Sequence, residues 1–118
     1  YLQKTTVKGL SVIPRGIVPP NPSELLDSTD MDELLKEVKK NYDYNILDGT
    51  PIDGLSDSLI LAKKTDRVVL VSAANITTID ELQNSKKALE SIDVKISGVV
   101  LNRTNDDHHG DYYNKYYR

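Results

Sequence analysis

Four of the chain's seven tyrosines, Tyr112, Tyr113, Tyr116 and Tyr117, fall within six positions near its last residue. Aromatic rings ordinarily contribute large buried area, yet the stretch from Thr104 onward holds no aliphatic residue for them to pack against. They can serve as phosphate acceptors or as anchors for a partner's groove, or the cluster is a compositional accident. Phosphorylation of all four would add roughly 6 to 8 negative charges, at ~1.5–2 per group. A second candidate is Asp48, which directly follows the short apolar run Tyr44 to Leu47 and precedes Gly49-Thr50-Pro51. A carboxylate at a strand tip is the Walker B arrangement, which fixes a magnesium ion, usually through water, beside nucleotide phosphates. Asp48 can equally do no more than open a turn with Gly49. The third candidate closes the run Val99-Val100-Leu101: the Asn102 amide offers the donor and acceptor that would read adenine, with Arg103 beside it. Asn and Arg at a strand end are also common turn formers.

Weaker signals complete the inventory. His108 and His109 stand among Asp106, Asp107 and Asp111, but adjacent histidines on a segment without a core lack the supporting contacts a metal site needs, and a solvated tail accounts for them. Asp57, between two serines, reads as a helix cap near the nucleotide pocket. Two tail histidines build no Ser/His/Asp triad.

These residues need elements to position them. Four short apolar runs, Leu10 to Ile13, Tyr44 to Leu47, Val68 to Ser72 and Ile96 to Leu101, read as buried strands. Helical patterns separate them. The first starts at Pro19-Pro20-Asn21-Pro22-Ser23-Glu24-Leu25-Leu26, with Asn21 placed to cap, Pro22 at the first helical position and Glu24 at the third. Asp30 and Glu33 suit a second cap, ahead of Met31, Leu34, Leu35, Val38 and Tyr42 on one face. A short apolar helix fits between Ser56 and Lys64, and a longer one begins at Thr78, where Thr78 and Glu81 form a capping box. Strands that are apolar on nearly every residue and alternate with helices indicate an α/β fold with a parallel sheet covered on both faces. In such a sheet ligands bind beyond the carboxyl ends of the strands, where Asp48 and Asn102 fall. Residues 1–103 thus form one α/β unit and 104–118 a flexible tail, since the tail cannot bury enough surface to offset its ordering entropy.

Composition removes several classes of function. With 15 basic against 18 acidic residues, a net charge of -3 and no Lys/Arg stripe, the chain is not built to bind nucleic acid. Zero cysteines exclude a disulfide framework, a cysteine-based zinc site and a thiol nucleophile. No stretch approaches the ~18–20 apolar residues of a membrane span. The first residue is Tyr1, so an upstream portion is expected to precede it.

Taken in order, Gly9-Leu10-Ser11-Val12-Ile13-Pro14, the Pro19 to Leu26 block, Tyr42-Asp43-Tyr44-Asn45-Ile46-Leu47-Asp48 and Gly98-Val99-Val100-Leu101-Asn102-Arg103 resemble the bacterial tyrosine kinases of capsule and exopolysaccharide assembly. The match spans almost the whole chain, and a tyrosine-rich ending is similar to the family's own. The resemblance implies a P-loop NTPase-like fold related to partition and septum-site ATPases, and phosphoryl transfer from ATP with Mg2+ to tyrosine. It implies that Asp48 is the Walker B carboxylate on the magnesium side, that Asn102 and Arg103 lie against adenine, and that Tyr112, Tyr113, Tyr116 and Tyr117 are autophosphorylated, presented to a neighbouring subunit. It further implies a membrane-spanning activator or polysaccharide co-polymerase as partner, a ring-like assembly that tail phosphorylation loosens by like-charge repulsion, and a cytoplasmic place on the inner face of the membrane.

Two departures stand out. The family commonly has Thr directly after the strand-end Asp, where this chain has Gly49. No Gly-Lys-Ser/Thr loop and no second acidic motif occur, so this piece alone is expected to be inactive. In the family fold the P-loop strand lies beside the Asp48 strand, so without it the sheet is incomplete and poorly stable. Rival readings are a non-catalytic α/β interaction module with a tyrosine docking tail, a related partition-type ATPase, and a phosphoacceptor receiver domain. The receiver lacks its acidic pair after the first strand, which exits as Pro14-Arg15-Gly16, and its lysine after the last.

Overall fold

The computed structural model describes residues 2–52 and 56–104. The tail tyrosines, the two histidines and the expected flexibility of 104–118 fall, apart from Thr104, outside the described residues.

The structural centre is one β-α-β unit. Strand β3 (Val68–Ala73) pairs in parallel with β4 (Ile96–Asn102), and α4 (Ile79–Ser91) makes the crossover between them. Val71 stands opposite Val100 and Ala73 opposite Asn102, so both carboxyl ends reach the same sheet edge. Helix α4 starts as its sequence dictates. The Glu81 amide donates to Thr78 Oγ1 at 3.2 Å and the Thr78 amide donates back to Glu81 Oε2 at 2.7 Å, a full capping box. It ends in a Schellman motif in which the Asp93 amide donates to the Glu90 carbonyl and the Val94 amide to that of Leu89. The motif requires a left-handed residue, and Asp93 supplies it at φ 60°.

The other expected strands differ from the sequence reading. Leu10 to Ile13 contributes only β2 (Ser11–Val12), which pairs antiparallel with β1 (Gln3–Lys4) in a separate hairpin. Gly9, at φ 84°, provides the left-handed turn between them. Tyr44 to Leu47 is no strand. The run has no ladder partner, and Tyr44 and Ile46 are 90% and 95% exposed. An apolar run states what residues a sheet interior would accept, but pairing needs a neighbour on at least one side, and none exists among the described residues. Among the described residues the parallel sheet therefore holds two strands rather than four.

Three more helices lie among the described residues. In α1 (Pro22–Leu26) the proline sits in the first turn as expected, but Asn21 does not cap the backbone; its amide donates to the Glu24 carboxylate. In α2 (Thr29–Asn41) the cap is Ser28, whose Oγ accepts from the Met31 amide at 3.3 Å, and the expected Asp30 lies inside the first turn. There its charge, with that of Asp32, opposes the positive end of the helix dipole. Helix α3 (Ser56–Lys63) packs on α1 and α4. At its end the Lys64 ammonium, largely buried, bridges Asp32 at 2.5 Å and Asp27 at 3.8 Å.

The core is small. Ala62 and Leu89 are the buried apolar residues among those described, and Ser58 and Ser72 are the buried polar ones. One sheet face is open: Val69, Val71 and Val100, which share it by the pairing register and the two-residue period, are all exposed. The expected cover on both faces is thus absent on this side. No helix among the described residues is long and apolar enough to cross a membrane.

Candidate active site

Residues 44–52 make no backbone–backbone hydrogen bond among the described residues, so the segment carrying Asp48 must be fixed by other means. A serine on α3 does this, and one on α4 lies close by. Ser58 Oγ on α3 donates to the Thr50 carbonyl at 2.5 Å, while Ser85 Oγ on α4 lies 3.1 Å from the Ile52 carbonyl but 2.9 Å from the Glu81 carbonyl, which competes for the same proton. A serine hydroxyl has one proton. With that of Ser58 committed to the Thr50 carbonyl, Thr50 Oγ1 is the donor in its 3.0 Å contact with Ser58 Oγ. Thr50 is therefore held by both its backbone and its side chain.

Asp48 lies exposed at the start of this fixed turn and engages no hydrogen bond or ion pair among the described residues. Such a carboxylate is free to accept from a metal-bound water. Alone it cannot hold an ion, and no group of three or more His, Asp or Glu side chains converges among the described residues. Asp48 would contribute one carboxylate, which is the share that Mg2+ takes where waters and substrate phosphates complete its shell.

Asn102 closes β4 at the sheet's carboxyl edge, where its carbonyl accepts from the Ala74 amide at 2.9 Å. Its side-chain oxygen accepts from the Arg103 amide at 2.8 Å, and Arg103 takes a left-handed φ of 57°. Asn102 thus forms the turn that its residue type allowed, and its amide nitrogen stays available as a donor. No hydrogen bond or ion pair joins Asp48 to Asn102 or Arg103. Asp57 is not a cap. It lies in the first turn of α3, and its Oδ1 accepts from Ser23 Oγ at 2.5 Å, tying α3 to the Pro19 to Leu26 block. Sequence reasoning passed over Ser58, Ser85 and Ser23 as partners. The available signal was Ser58 itself, a hydroxyl next to Leu59, Ile60, Leu61 and Ala62 on a helix otherwise apolar at those positions.

No family model matches the chain. It is 34% identical over 113 residues to tyrosine-protein kinase CpsD of Streptococcus agalactiae, an alignment covering 94% of this chain and 49% of CpsD. Among solved structures, the VpsO kinase domain superposes with a TM-score of 0.82 at 34% identity, covering 88% of this chain and 51% of that one. The chimerical protein CapA2B2 gives a TM-score of 0.83 at 34% identity, over 87% of this chain and 46% of its own. The chain spans about half the length of each of these three.

Proposed function

We infer, from a chain whose relatives are bacterial tyrosine-protein kinases, that it is the Walker B part of a P-loop protein-tyrosine kinase domain that phosphorylates its own tail. The observation that supports this is Asp48: an unengaged carboxylate at the end of an apolar run, on a turn held by the Ser58 hydroxyl of α3. Magnesium, when bound, neutralises charge on the phosphates and draws electrons toward the leaving group. Asp48 would hold it through water, its carboxylate accepting a hydrogen bond from a metal-bound water molecule. A tyrosine oxygen attacks the γ-phosphorus of ATP as the bond to ADP breaks, and the phenolic proton passes to a base or to solvent. Asn102 and Arg103 lie at the carboxyl edge where the adenine end would rest, with the Asn102 amide nitrogen as the donor that remains. Tyr112, Tyr113, Tyr116 and Tyr117 are the acceptors, on a neighbouring copy. The Gly-Lys-Ser/Thr loop must come from elsewhere, so this chain alone is inactive.

In the whole protein the kinase works with a membrane-spanning partner, assembles as a ring on the cytoplasmic face, and regulates capsular or extracellular polysaccharide export. The test is Asp48→Asn in the intact protein, read as tail phosphotyrosine after incubation with ATP and Mg2+. Loss of a charged ligand partner should lower the rate by about 100-fold or more. Undiminished phosphotyrosine in that variant would overturn the assignment.

A further inference from the structure

Gly49 and Ser58 are fitted to one another. A Cβ built on Gly49 would lie 2.9 Å from Ser58 Oγ and 3.7 Å from Ser58 Cβ, so any side chain at position 49 must push the Ser58 hydroxyl away. That hydroxyl is buried, donates to the Thr50 carbonyl and accepts from Thr50 Oγ1. Displacing it frees the turn, because the backbone from Tyr44 to Ile52 has no ladder of its own.

We propose that Ser58 is a positioning residue for Asp48, and that the bare Cα of Gly49 exists to admit its hydroxyl. The proposal rests on the kinase reading above and goes beyond it. Asp48 precedes Gly49 and Thr50 directly, so the direction of its carboxylate follows from the backbone that Ser58 clamps at Thr50. A loose turn spreads that carboxylate over many directions, and the water-mediated hold on the metal weakens even when the chain stays folded. Gly49→Ala and Ser58→Ala then act through one event, loss of the clamp. Once the hydroxyl is gone, a methyl at position 49 meets no obstacle.

The experiment compares Gly49→Ala, Ser58→Ala and the double variant in the intact protein, reading tail phosphorylation against Mg2+ concentration, with thermal unfolding alongside. Each single change should raise the Mg2+ concentration for half-maximal rate by about tenfold, the size of one lost hydrogen bond, and the double variant should match Ser58→Ala rather than compound it. A role in folding alone would lower the amount of active protein and leave the Mg2+ midpoint in place, and that result overturns the proposal. Multiplying effects in the double variant overturn it as well. If the unsubstituted protein transfers no phosphate, the kinase reading itself falls and takes the role of Ser58 with it; a normal parent with an unshifted Ser58→Ala midpoint sinks only the positioning claim.

Discussion

Replacing Leu89 with alanine tests where the core lies. Leu89 is 0% exposed, projects from α4 and caps the Schellman turn by lending its carbonyl to Val94, so its side chain is the best-buried apolar group of the described residues. Truncating a fully buried leucine removes transfer energy and leaves a cavity, a loss of ~3 kcal/mol. At an unfolding slope of ~1.5 kcal/mol per molar urea, the midpoint should fall by ~2 M. The equilibrium constant changes by more than ~100-fold. Val71→Ser on the open sheet face is the matched comparison, since Val71 is 64% exposed and loses little contact; its cost should stay within ~0.5 kcal/mol. Urea titration followed by far-ultraviolet circular dichroism, with an osmolyte added equally to each sample to secure the folded baseline, measures both. If Leu89→Ala costs less than Val71→Ser, the buried leucine of α4 is not where stability resides and the account of the core is wrong.

Two further outcomes follow from α4. Asp93→Gly places the residue best suited to a left-handed φ at the Schellman position, so thermal unfolding should show a gain of ~0.5–1 kcal/mol; a loss would mean that the Asp93 side chain has a stabilising contact of its own. The Glu81 carboxyl is held below its ordinary 4.5 by hydrogen bonds from the Thr78 amide and then the Thr78 hydroxyl. A lowered folded-state value means that its contribution is complete above the unfolded value and fades as pH falls through the folded one. The parent should therefore melt above Glu81→Gln at neutral pH and converge on it as the solution is acidified below 4.5, with melting curves over a pH series as the check.

How far the sequence foretold this arrangement depended on whether a signal was local. The Thr78 and Glu81 box, the Pro22 start and the β-α-β order from Val68 to Asn102 each rest on neighbours within one element or on a single crossover, and all three are present. Pairing is not local. Tyr44 to Leu47 has the composition of an interior strand, but composition cannot supply the adjoining backbone that would satisfy its amides, and here it stays single. Capping failed where two polar residues competed. Ser28 won over Asp30 because its hydroxyl also donates to the Leu25 carbonyl at 2.7 Å, joining the end of α1 to the start of α2. At the site, Asp48 stood out as the carboxylate that follows an apolar run, although that run pairs with nothing and forms no strand, whereas the serines near it were not legible. Each acts across 8 or 33 positions of chain, a separation that no short motif records.

The uncovered stripe of Val69, Val71 and Val100 governs how this polypeptide behaves in a tube. Water released from such valines favours contact between molecules, and that attraction strengthens on warming and in sulfate. Cold, dilute, sulfate-free buffer should therefore keep it dispersed, and light scattering should rise as the sample is warmed or given sulfate.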